Sequence, residues 1–222
     1  MTTQVSKAAG WRKMAIQAAI GAAAGAGGMF AGLQLVEGQG GFDWTGSSVI
    51  LFGIGLVYAL MGVFVGIGTV APRLFGQRLL NVADAEEIVE ERANMAGSAV
   101  GCLILGAAVM LLAHAAAADA AGSTALVAPA LAFWILLAVL VGFTALSVLM
   151  WRGFDELWRQ LTVEISAITG NLLLLVAIIW GGAAAVGLAA GPHPLDLVSI
   201  AFGSLLFACF AGAGWRGMMA PR

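Results

Sequence analysis

All ten lysines and arginines of the chain, Lys7, Arg12, Lys13, Arg73, Arg78, Arg92, Arg152, Arg159, Arg216 and Arg222, fall in alternate gaps between long uncharged stretches, and the intervening gaps hold none. Such sidedness is the positive-inside signature of a chain that threads a bilayer repeatedly, because cationic turns are retained on the inner side. The uncharged stretches cover residues 14–36, 44–72, 93–118, 120–151, 165–195 and 197–215. Each supplies the roughly 20 residues a helix needs to cross about 30 Å of hydrocarbon at about 1.5 Å per residue.

The pattern predicts an all-α integral membrane protein, a six-helix transmembrane bundle forming a single domain over residues 1–222. The expected spans lie near 14–36, 48–70, 94–115, 126–150, 165–188 and 197–215, with both termini cytoplasmic. Four of the five prolines, Pro72, Pro192, Pro194 and Pro221, fall outside these spans, and Pro129 falls in the first turn of the fourth, where its missing N–H is cheap. Trp11, Trp44, Trp151, Trp158 and Trp215 fall at expected water boundaries, where an amphipathic ring is favoured. The basic start before an Ala-rich run also fits a secretory signal, but the run exceeds the 7 to 15 residues of a signal core, so a retained span is the preferred reading.

Composition excludes several classes. With 61% hydrophobic and 10% charged residues the chain cannot cover a soluble domain with polar surface, and no basic nucleic-acid-binding surface exists. Cys102 and Cys209 each sit in an apolar run and read as packing residues. The two lysines, Lys7 and Lys13, lie outside every span, so a Schiff-base chromophore has no attachment point. His114 and His193, both on the expected periplasmic side, lack the carboxylates or thiolates that would complete a metal site. Neither a nucleophile elbow, a His-Glu-x-x-His helix nor a phosphate-binding loop occurs, and no cofactor is expected.

Glycine spacing carries the packing signal. Gly21, Gly25, Gly28 and Gly32 in the first span, Gly62 and Gly66 in the second, and Gly97 and Gly101 in the third form Gly-x-x-x-Gly pairs, the grooves through which helices approach closely in lipid. Two connections carry the charge. In residues 73–93, Asp84 with Glu87 resembles a capping box, and Glu86, Glu87, Glu90 and Glu91 would form an acidic stripe seeking water, a partner or the arginines Arg152 and Arg159 of the other connection. There, Asp155 with Arg159 and Gln160 with Glu164 are spaced to meet along one helix. Glu164 at the start of the fifth span, with Ser166, Thr169 and Asn171 inside it, forms a candidate polar path, read first as interhelical hydrogen bonding.

The segments Leu79-Leu80-Asn81-Val82-Ala83-Asp84-Ala85-Glu86-Glu87 and Asp155-Glu156-Leu157-Trp158-Arg159-Gln160, with Glu164, resemble those of small multi-spanning bacterial inner-membrane proteins that are uncharacterised in function. The resemblance covers about a tenth of the chain and implies a multi-pass bacterial inner-membrane location, with no catalytic residue attached. The expected function is that of a non-catalytic accessory, scaffold or assembly protein. Its partners would be the lipid bilayer and a membrane protein or a second copy, contacted through Glu86, Glu87, Glu90, Glu91, Arg152 and Arg159. The alternative is a facilitator or channel for a small neutral solute through the Glu164–Asn171 region.

Overall fold

The computed structural model describes residues 44–71 and 92–216. Among them the chain is helical without a strand: α1 Gly46–Val70, α2 Arg92–Ala120, α3 Pro129–Met150, a 3-10 turn Trp151–Gly153, α4 Glu156–Ala185 and α5 Pro194–Trp215. These five helices, 22 to 30 residues long, are apolar and long enough to cross a membrane. The chain is thus a helical, multi-pass membrane protein. The expected first span, 14–36, lies outside the described residues, as does the Asp84–Glu87 capping box.

Helix ends are set by side chains that hydropathy alone does not weigh. α4 begins nine residues before the expected 165, because Asp155 caps it by accepting from Trp158 N at 2.8 Å and the charged first turns stay helical. α5 begins at Pro194 rather than 197: His193 Nδ1 accepts from Leu195 N at 3.3 Å, while the Asp196 carboxylate accepts from His193 N at 2.7 Å. Charge-counting stopped short of Asp196, yet this aspartate belongs to the first turn. α2 runs past the expected 115 to Ala120, and α4 stops at Ala185 rather than 188. Each stop is a Schellman motif built on a left-handed glycine: Gly122 at φ 63° with Ser123 N donating to Ala118 O, and Gly187 at φ 75° with Leu188 N donating to Ala183 O.

The described residues fall into two compact units, one with 56–71 and 92–107, the other with 44–55 and 108–216. In the first, α1 crosses α2 at Gly62, where a Cβ would stand 2.7 Å from Ala99 O and 2.9 Å from Leu103 N. The Gly62–Gly66 pair is therefore a contact within the chain. An open apolar groove of about 380 Å³ runs beside it, lined by Gly62, Val63, Gly66, Ile67, Val70, Ala71 and Leu103.

The second unit centres on the Ala-rich C-terminal half of α2, whose Ala108, Val109, Ala113, Ala115, Ala117 and Ala118 are buried together with Leu51 of α1. Short side chains here bring helices close, the drive being contact rather than escape from water. α4 and α5 pack as an antiparallel hairpin with Gly212 against Leu161 and Ile165, and Gly203 lies beside Ile54. α3 and α4 are outliers, since α3 buries Ala132 and Leu136 and α4 buries Leu161, with large apolar side chains open along the remainder. In water this surface would be untenable; against acyl chains it costs nothing.

Candidate functional site

Polar side chains converge where α3 ends, α4 begins and α5 finishes, here termed the basic end. Glu156, Gln160 and Glu164 stand four apart on α4 and so share a face. Gln160 Nε2 donates to Glu156 Oε1 at 2.8 Å, and its carbonyl accepts from Arg216 Nη2 at 3.4 Å. Arg216 grips Glu164 with two parallel bonds, Nε to Oε2 at 2.9 Å and Nη2 to Oε1 at 2.7 Å. The fork-to-fork geometry fixes orientation as well as charge. Hydrogen bonding to Glu164 pushes the Arg216 guanidinium, which follows the last helix, further up from its ordinary range.

Arg216 is the residue that sequence reasoning missed. Its signal was register: Glu164 stands 21 residues before the end of α4 at Ala185, and Arg216 stands 22 past Pro194. Two antiparallel helices leaving a common turn bring such positions level. At about 1.5 Å per residue both lie roughly 32 Å from the turn, close to the thickness of the hydrocarbon core. The pair therefore marks one boundary, and the 186–193 connection, free of lysine and arginine, marks the other.

The expected Asp155–Arg159 pair does not form. Asp155 is turned onto the first-turn N–H groups as a cap, whereas Arg159 reaches backward, Nε to Trp151 O at 3.2 Å and Nη2 to Arg152 O at 3.3 Å. Those carbonyls belong to the 3-10 turn after α3 and would otherwise lack intrahelical donors. Arg159 thus staples the turn to α4, with the Arg152 side chain left exposed. Gln160 likewise bonds Glu156 and Arg216 rather than Glu164. Trp151 and Trp158 flank the staple, both exposed as boundary rings should be. At the other end of α4, Trp180 Nε1 donates to Ala190 O at 2.8 Å, which satisfies its N–H within the chain.

The remaining candidates separate into two groups. Glu86, Glu87, Glu90 and Glu91 lie outside the described residues. Of the proposed polar path, Glu164 is committed to Arg216, Thr169 Oγ1 donates to Ile165 O at 2.8 Å, and Asn171 Nδ2 donates to Ala167 O at 2.9 Å. Ser166 and Asn171 are exposed on α4. Among the described residues no three of His, Cys, Asp and Glu come together in a metal-holding group. Comparison with protein-family models, curated proteins and solved structures finds no match.

Proposed function

We propose that the chain is a six-span protein of the bacterial inner membrane, both ends cytoplasmic, that acts without catalysis as an accessory or scaffold subunit. The alternation of cations supports the orientation, since Arg152, Arg159 and Arg216 share the basic end, which then faces the cytoplasm. One observation carries the scaffold reading. At that end the polar groups are spent on holding segments together: Asp155 on a helix cap, Arg159 on the 3-10 turn, Arg216 on Glu164. A surface braced in this way suits docking, whereas a reacting centre would keep a nucleophile, base or metal ligand set open toward substrate.

Arg152, exposed beside the staple, and the acidic stripe Glu86, Glu87, Glu90 and Glu91 are the contact residues of this reading. Capture of the tagged chain from native membranes tests it, comparing wild type with Arg152→Glu and with lysine at the four glutamates. The reading expects a defined partner lost from both variants. An identical bound set in all three, or solute flux in reconstituted vesicles above empty controls, would overturn it.

A further inference from the structure

The outer face of α4 carries an amide where hydrocarbon should meet only carbon. Ala167, Gly170, Asn171, Leu174 and Ile178, spaced three and four apart, are all exposed and so form one continuous face. Asn171 stands seven residues beyond Glu164, which with Arg216 marks the boundary, and therefore lies roughly 10 Å inside the apolar layer. Among the described residues its one hydrogen bond runs from Nδ2 to Ala167 O, leaving Oδ1 and a second N–H open. Acyl chains can satisfy neither group, and a bare amide in hydrocarbon is costly.

Whatever covers this face must bring a donor and an acceptor to the same depth. A second copy inserted in the same orientation does so by construction: its Asn171 lies level with the first, and an amide is its own hydrogen-bond complement. Approach is unobstructed, because Ala167 is short and a Cβ built on Gly170 meets nothing within 4 Å. We propose that the Ala167–Ile178 face of α4 is a two-fold homodimer seam centred on reciprocal Asn171–Asn171 hydrogen bonds. This goes beyond the scaffold reading, because self-association requires no docking at the basic end.

Energy transfer between donor- and acceptor-labelled full-length protein, diluted stepwise in bilayer vesicles, reads the dimer directly. Asn171→Ala should weaken it about three- to ten-fold, Asn171→Gln should largely retain it, and Gly170→Leu should abolish it by blocking close approach. Detergent-unfolding midpoints of the monomer should stay unchanged for Asn171→Ala, whose removed side chain bonds only its own helix. A wild type monomeric at every dilution, or dimers indifferent to both Asn171→Ala and Gly170→Leu, would overturn the proposal. Monomers whose neutral-solute flux depends on Asn171 would overturn it as well, assigning the amide to a path instead.

Discussion

Gly62→Ala tests how the first unit is held together. Its new Cβ would stand 2.7 Å from Ala99 O and Leu103 Cγ, and 2.9 Å from Leu103 N. The leucine side chain can rotate aside, but the two backbone atoms cannot move without moving α2. Ordinary carbon–oxygen approach is about 3.3 Å or more, so α1 and α2 must separate by roughly 0.6 Å at the crossing. A gap of that size forfeits about a quarter to a half of each affected contact. Overpacking of this kind costs about 1–3 kcal/mol, against which alanine recovers about 0.8–1 kcal/mol of helix propensity. The net expectation is a loss of up to about 2 kcal/mol.

Gly66→Ala, one turn along the same helix, is the matched control. Its Cβ would meet Ala99 Cβ at 3.9 Å, an ordinary contact, so only the propensity gain remains and stability should hold or rise by up to about 1 kcal/mol. Reversible unfolding of both variants in mixed micelles, titrated with a denaturing detergent and followed by far-ultraviolet circular dichroism, supplies the comparison. Equal midpoints for Gly62→Ala and Gly66→Ala would refute the close crossing and, with it, the assignment of this Gly-x-x-x-Gly pair to packing within one chain.

Four further substitutions, with Gly142→Ala as a control, address the helix ends. Arg216→Ala and Glu164→Gln should each loosen the basic end of the α4–α5 hairpin, and the double variant should be little worse than either single one; additive losses in the same unfolding assay would show that the two residues act separately. Because Glu164 is half exposed, the difference between wild type and Arg216→Ala should shrink in high salt. Asp196→Ala removes the acceptor for His193 N and should cost about 1 kcal/mol, with hydrogen exchange rising first in the opening turn of α5; an unaltered exchange pattern would count against the cap. Gly187→Ala, at φ 75°, should cost about 1–2 kcal/mol, whereas Gly142→Ala, helical and open, should not; equal stabilities would deny the left-handed stop.

How much of this fold can be read in advance follows from which forces act over short range. Apolar length and the placement of cations located α1 to α5, because lipid imposes those requirements on each segment separately. Ends were misjudged where a charged residue works as a cap: Asp196 looks like a boundary to a hydropathy count and is the first turn of α5 to the backbone. Local spacing misled in the same way at Asp155 and Arg159, which are four apart yet serve opposite sides of the turn, one facing forward onto N–H groups and the other backward onto carbonyls. The Glu164–Arg216 pair spans 52 positions, so no window reveals it. It becomes legible only when α4 and α5 are folded about their common turn and their lengths compared. That comparison converts a hydropathy plot into a depth scale. By that scale Glu164 belongs to the boundary and Asn171 to the hydrocarbon, so two polar residues that look alike in the sequence answer to different solvents.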